Sequence, residues 1–205
     1  MSRLFFGAFY TKDTSYEQVV KDYLIPSCKK VGIDPIIEVV ENKGTWIKNV
    51  AEKPRVILSQ LNGYIRDNDI LVFVDADATI ERYPIDLCKV PQEYEIGYHT
   101  LNWNEWYGYD NVTPVKELLS GTMIFRNTVN VRQLCAEWYK EAKESNMWEQ
   151  RVLQQLMVQR GDIKVYHLPL EYCYMNSLPD GREPLVKCDP IIKHYQKSRT
   201  LRRTL

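Results

Sequence analysis

The chain has 205 residues, 44% hydrophobic and 26% charged, which suits one globular domain with a real core and leaves little room for two. Lys+Arg and Asp+Glu both number 27, so the formal net charge is zero and no global field draws the chain to nucleic acid or to an anionic membrane. The five cysteines (Cys28, Cys88, Cys135, Cys173, Cys188) are odd in number and form no Cys-x-x-Cys pair, which disfavours a disulfide framework and a zinc site. The opening apolar run is too short for a secretion signal, and no stretch reaches membrane-spanning length. The expectation is a soluble, cytoplasmic protein.

Residues 4–10 form an apolar run that reads as a buried strand. Asp13 and Thr14 are helix-cap candidates, and Tyr16, Val20, Tyr23, Leu24 and Val31 follow at helical spacing up to Gly32, with Pro26 expected to kink the helix. Residues 35–40 read as a second strand and 44–53 as a loop. Pro54 opens a second helix whose one face carries Ile57, Leu61, Tyr64 and Ile65. Residues 69–74 (Asp-Ile-Leu-Val-Phe-Val) make a third strand, apolar on both faces and hence central and parallel. This alternation is the opening of a doubly wound α/β sheet, which binds ligands at the carboxyl ends of its strands.

The second half is less regular. Residues 95–99 and 122–126 read as strands, and Val131, Leu134, Cys135, Trp138 and Ala142 mark an amphipathic helix. A shorter helix is expected over about 148–159, strands over 163–168 and 172–175, a proline-rich loop over 178–190, and a short extended piece over 191–195. No repeat, low-complexity segment or linker divides the chain, so 1–205 is taken as one domain.

Asp-x-Asp is a common pattern: twelve aspartates in 205 residues give about 0.7 matches by chance. Asp67-Asn68-Asp69 is one such match; it precedes the third strand, where Asp and Asn make turns, and reads as structural. Asp75-Ala76-Asp77 stands apart because it emerges directly from the uninterrupted apolar strand, at the ligand-binding edge. Two like charges held there are costly without a cation, and Mg²⁺ or Mn²⁺ held by carboxylates and substrate phosphates fits. The plainer alternative is a strand-end pair that caps the residues from Thr79 onward.

Two enzyme classes place such a motif after a strand. Asp75-Ala-Asp-Ala-Thr79 is similar to the nucleophile motif of haloacid dehalogenase-like phosphatases, with Asp75 as nucleophile. That reading needs a second acidic cluster, and Gly161-Asp162 is followed by Ile-Lys-Val-Tyr, with no second Asp to complete the motif. The other class is the metal-dependent glycosyltransferases. The run Ile192-Lys-His194-Tyr-Gln-Lys197-Ser-Arg199, with Gly44-Thr-Trp46 before Lys53, the Leu-Val-Phe-Val-Asp-Ala-Asp-Ala segment and Leu119-Ser-Gly-Thr-Met-Ile-Phe-Arg-Asn127, resembles small GT-A transferases of the nucleotide-diphospho-sugar transferase type, in order and over most of the chain. Small unanchored transferases of this kind also occur in viruses and phages, which would make the location a host cytoplasm.

The resemblance implies a single-domain, Rossmann-like α/β fold with a mainly parallel mixed sheet flanked by helices. Residues 1–80 would form the nucleotide-binding half, and 81–205 the acceptor side and a C-terminal clamp. It implies a UDP- or GDP-sugar donor, a hydroxyl acceptor on a glycan, glycoprotein or modified base, and retention of configuration. It also implies that His194 joins Asp75 and Asp77 on the metal, and that Lys197 and Arg199 hold the diphosphate. Neutral imidazole is a good Mn²⁺ ligand, and basic side chains can neutralise a leaving diphosphate. The basic run reaches Arg202 and Arg203.

Phe9, Tyr10 and Thr11, at the end of the first strand, would lie beside the base, either stacking on it or simply packing in the core. Trp46, Lys53 and Ala76 would frame the donor. Ser120, Gly121 and Thr122 open a strand near the sugars, where Gly either permits close approach or marks a bulge. Trp103 and Trp106, with Tyr107, Tyr109 and nearby amides, suit an acceptor sugar, and equally a protein interface or a lid. Glu149 could serve an inverting enzyme as base, and Gln150 could stabilise positive charge in a retaining one; both also fit a plain helix surface. His99 and His167 read as structural.

Overall fold

The computed structural model describes residues 2–110, 113, 115–178 and 180–201. Arg202, Arg203 and Pro179 of the loop over 178–190 lie outside them. Strands β1 (Leu4–Thr11), β2 (Ile36–Val40) and β3 (Ile70–Val74) follow the expected order. Strand β1 pairs in parallel with both β2 and β3. In β3 the pleat sends Leu71 and Phe73 into one core and Ile70, Val72 and Val74 into the other, so all five residues are buried. The segment after Thr14 is interrupted as proline requires. Helix α1 (Ser15–Val19) widens into a π turn over Val20–Leu24 before α2 (Ile25–Lys30) resumes with Pro26 in its first turn.

The expected loop over 44–53 is instead partly helical. Thr45 caps α3 (Trp46–Val50), accepting from Lys48 N at 3.4 Å, and Lys53 is the first residue of α4 (Lys53–Gly63). Five residues are too few to display helical periodicity, which is why the segment reads as a loop. The strand after β3 was also not anticipated: β4 (Ala78–Ile80) continues directly from the acidic pair.

Strand β5 (Ile96–Asn102) is longer than expected, and the aromatic segment after it folds as α5 (Trp103–Tyr107), capped by Asn102 and ended by Gly108 at φ +73°. Strand β6 (Lys116–Arg126) also starts earlier than expected. Helices α6 (Val129–Glu144) and α7 (Glu149–Gln159) match the periodic pattern, and β7 (Val165–His167) closes the large sheet. The order is β2-β1-β3-β6-β5-β7, with β6 antiparallel to its neighbours β3 and β5. Helices α4, α6 and α7 cover one face through Ile57, Leu61, Leu134, Trp138 and Leu153, and α2 covers the other through Cys28. The result is a single-domain α/β fold with a mainly parallel sheet.

A small second sheet, β4-β9-β8, joins β8 (Tyr174–Met175) and β9 (Ile192–His194) to β4. Its register places Ala78 opposite His194. The ladder of β6 is broken on the β5 side: Tyr98 pairs with Met123, but the next residue, His99, pairs with Leu119. Ser120, Gly121 and Thr122 therefore bulge out of that ladder, which frees their backbone groups for the site. No helix of the described residues is long and apolar enough to cross a membrane.

Candidate active site

The carboxyl ends of β1 and β3, the β6 bulge, α3, the start of α7 and the C-terminal segment enclose a cavity of about 830 Å³. Asp75 is held on its floor by its own backbone N–H, which donates to Gly121 O at 2.8 Å. The short sheet then delivers His194. Asp75, Asp77 and His194 each present a ligand atom, and these atoms lie within 4.8 Å of one another.

His194 is buried, and its two nitrogens have different surroundings. Nε2 lies 2.8 Å from Thr122 Oγ1, whereas Nδ1 has no hydrogen-bond partner and lies 3.8 Å from Asp77 Oδ1. A buried ring nitrogen aimed at two carboxylates without a hydrogen bond of its own fits a metal ligand whose orientation is set by Thr122. Burial acts to lower the His194 pKa, but the Asp77 carboxylate and Cys173 overcome it and push the group up to about 10. Gly121 makes room for this ring: a Cβ there would meet His194 Cε1 at 3.0 Å and Nδ1 at 3.2 Å. Asp77 is fixed from the other side by Lys197 N–H, which donates to its Oδ2 at 2.6 Å.

A second charged cluster adjoins the first. Lys53 is buried, and its Nζ lies 2.8 Å from Asp75 Oδ1 and 2.8 Å from Glu149 Oε1. It also donates to Ser120 Oγ at 3.1 Å and Ser120 O at 3.3 Å. Burial acts to lower the Lys53 pKa, but Asp75 and Glu149 outweigh it, and the ammonium is held above its usual range. Desolvation raises the Asp75 carboxyl, with Lys53 pulling it back. Repulsion between the two aspartates is met in part within the protein, by Lys53 at Asp75 and by His194 and the Lys197 N–H at Asp77. Lys53 is shared with Glu149, however, so three carboxylates face two cationic groups, and Asp77 still raises the Asp75 carboxyl. Asp75 still keeps 38% of its side chain open to the cavity, so it remains available to a ligand.

Residues 39–196 match the family described as nucleotide-diphospho-sugar transferase. The chain belongs to that family. It is therefore a glycosyltransferase, and the phosphatase alternative falls. Among curated proteins none matches the sequence. Its fold is similar to that of a glycosyltransferase involved in glycosylation of the major capsid of PBCV-1, at TM-score 0.68 and 12% identity, covering 98% of each chain. The bifunctional glycosyltransferase WbbM is similar at TM-score 0.60 and 13% identity over 95% of this chain and 46% of WbbM. GlyE of Streptococcus pneumoniae TIGR4 is similar at TM-score 0.55 and 12% identity, over 95% of this chain and 55% of GlyE.

Most residues singled out in the transferase sequence meet at the cavity. Phe9, Tyr10, Thr11, Trp46, Lys53, Asp75, Ala76, Asp77, Trp103, Ser120, Gly121, Glu149, Gln150, His194 and Arg199 line it. Three do not. Trp106 is buried against Tyr174 in a small core with Leu101, Leu119 and Leu178, because α5 turns its ring inward, so it offers no surface to an acceptor. Thr122 is fully buried behind His194 and serves the ring rather than a sugar. Lys197 contributes its backbone N–H to Asp77, while its Nζ sits 5.0 Å from the Tyr23 ring centroid, away from the cavity lining. Arg199 does line the wall, with Nη1 donating to Ser177 O at 2.8 Å. His99 is structural, bonded through Nδ1 to Leu168 O at 2.9 Å.

Sequence reasoning missed Trp148 and Glu117. Trp148 packs edge-on to Trp46 at 5.9 Å on the cavity wall. Glu117 accepts from Trp103 and Gln150. The available signal is the alternation of β6, which puts Glu117 and Leu119 on one face, but a strand expected over 122–126 does not reach it.

Proposed function

We propose that the enzyme moves a sugar from a UDP- or GDP-sugar to a hydroxyl of a glycan, glycoprotein or similar acceptor, with Mn²⁺ or Mg²⁺ held by Asp75, Asp77 and His194. The observation that carries this reading is the buried, unpartnered Nδ1 of His194 facing the two aspartates. A divalent cation there would neutralise charge on the donor diphosphate. Residues 1–80 supply most of the nucleotide side, where Tyr10, Thr11 and Trp46 line the cavity. Arg199 is the side chain offered to the diphosphate, where it would meet charge that grows as the glycosidic bond breaks. Residues 81–205 supply the acceptor side, with Trp103 and Tyr107 on the wall.

The carboxylates on this wall support retention rather than inversion. Glu149 accepts from Lys53 and Ser120, Asp75 from Lys53, Asp77 from the Lys197 N–H, and Glu117 from Trp103 and Gln150. An inverting enzyme needs one of them as a base for the acceptor hydroxyl. Asp75 and Asp77 are assigned to the metal, both Glu117 oxygens are engaged, and Glu149 is 4% exposed and ion-paired with Lys53. Gln150, on the same wall, would then lie beside the anomeric carbon with its amide held between Glu117 and Ser120.

Calorimetry with UDP and GDP, with and without Mn²⁺, tests the reading. Micromolar binding that requires the cation is expected, and it should vanish in Asp77→Asn. Binding indifferent to the cation would refute the metal site, and donor binding with neither transfer nor hydrolysis would leave a non-catalytic sugar-binding module. The anomeric configuration of the product, read by NMR, tests retention.

A further inference from the structure

Glu117 is half-buried on the cavity wall, and its carboxylate is divided between two elements. Oε2 accepts from Trp103 Nε1 at 2.8 Å, in the first turn of α5. Oε1 accepts from Gln150 Nε2 at 2.7 Å, in the first turn of α7. An ionised carboxylate only accepts, so it fixes which end of the Gln150 amide faces it. The amide oxygen is thereby turned toward Ser120, where it accepts from the backbone N–H at 2.9 Å. Ser120 Oγ can then give its single proton to Glu149 Oε1, 2.9 Å away, while accepting from Lys53. The chain of bonds runs without a donor–donor mismatch from the aromatic wall to the Lys53–Asp75 pair.

Resting on the transferase reading above, we propose that Glu117 is the positioning residue of the acceptor half. It sets the Gln150 amide with its oxygen toward Ser120, and it pins the Trp103 edge so that the indole forms a platform for a saccharide ring. Trp103 has edge contacts with Tyr107 at 5.6 Å and Tyr109 at 6.2 Å, so the pinned ring belongs to an aromatic group. Both oxygens of Glu117 are committed to N–H donors, so it acts through these two residues rather than on the reacting atoms.

The amide introduced by Glu117→Gln can accept from only one of the two donors. If its oxygen serves Trp103, its NH₂ confronts the NH₂ of Gln150; if Gln150 flips in response, its own NH₂ confronts the Ser120 N–H. Exchanging the two groups, in Glu117→Gln with Gln150→Glu, restores every bond. A double-mutant cycle therefore isolates the coupling. The readout is hydrolysis of UDP-glucose, UDP-galactose and GDP-mannose with Mn²⁺, alongside the Trp103 indole N–H resonance. Glu117→Gln should lower kcat about tenfold, with KM for the nucleotide sugar within about twofold of the parent, and should shift the indole resonance. The double variant should exceed both single variants in kcat and return the resonance toward its parent position. Additive losses, an unmoved resonance, or a coupling seen in thermal stability alone would overturn the positioning role. A parent enzyme that hydrolyses none of the three donors and binds no nucleotide would instead refute the transferase reading, and the resonance would still decide whether Glu117 holds Trp103.

Discussion

Lys53 Nζ and Glu149 Oε1 lie 2.8 Å apart with both side chains almost wholly buried. Breaking such a pair from one side strands a charge, whereas removing both partners does not. Lys53→Met should therefore cost about 3–5 kcal/mol of stability by denaturant titration, since it leaves both Glu149 and Asp75 without their cation. Adding Glu149→Gln should recover a substantial part of that loss. Equal destabilisation in the single and double variants would show that Lys53 matters here through its packing alone.

Gly121 tests the placement of His194. Its Cβ would meet the imidazole at 3.0–3.2 Å, and the ring is tethered to Thr122 through Nε2, so yielding turns or shifts the ring and displaces Nδ1 from its place beside the aspartates. Gly121→Ala should keep the fold, by circular dichroism, and weaken Mn²⁺-dependent nucleotide binding about tenfold or more. Thr122→Val removes the ring's tether without filling the space and should weaken it about 10–100-fold. Unchanged cation dependence in both variants would exclude His194 as a ligand.

The raised pKa of His194 makes two linked pH dependences. Its folded-state value, about 10, lies above the ordinary imidazole value of 6.5. The proton's contribution to stability is therefore complete below about 6.5 and is lost as pH rises toward 10. In chelator, the stability of the parent should fall across that window, by at most about 1.4 kcal/mol per pH unit from this group. The fall should be absent in His194→Gln. Because a bound cation must displace that proton, Mn²⁺ affinity should rise with pH over the same window and binding should release protons. Calorimetry in buffers of different ionisation enthalpy counts them.

The first three strands, the two long helices and the placement of Asp75-Ala76-Asp77 at a strand end are legible because each is a local pattern: apolar runs, helical spacing, a charged pair after an apolar strand. The convergence of His194 on that pair was inferred from resemblance, and β4 supplies the physical reason, since its pairing with β9 is set by only three residues on each strand. Strands of that length carry no periodicity. A bulge is one of the two readings of Gly121, since Ser-Gly-Thr interrupts the apolar residues of β6, but the partner strand β5 determines where the ladder slips. Lys53 was noted for its place after β2, but its burial between two carboxylates depends on α7, almost a hundred positions later, and no local window contains both.

The two tryptophans of α5 separate packing from binding within one short helix. Trp106 is 1% exposed and fills a core with Tyr174 and Leu178, whereas Trp103 lines the cavity and spends its indole N–H on Glu117. Trp106→Ala should cost about 3–5 kcal/mol, as truncation of a buried aromatic does. Whatever activity it loses should follow the fraction unfolded. Trp103→Ala opens no sealed cavity and should cost little stability by comparison. Its effect should fall on the acceptor, with transfer slowed at least about tenfold relative to donor hydrolysis, since water needs no platform. The ratio of transfer to hydrolysis, measured for both variants at a temperature where each is folded, separates the two roles. A ratio lowered equally by both substitutions would mean that α5 acts as one unit and that the acceptor does not rest on Trp103.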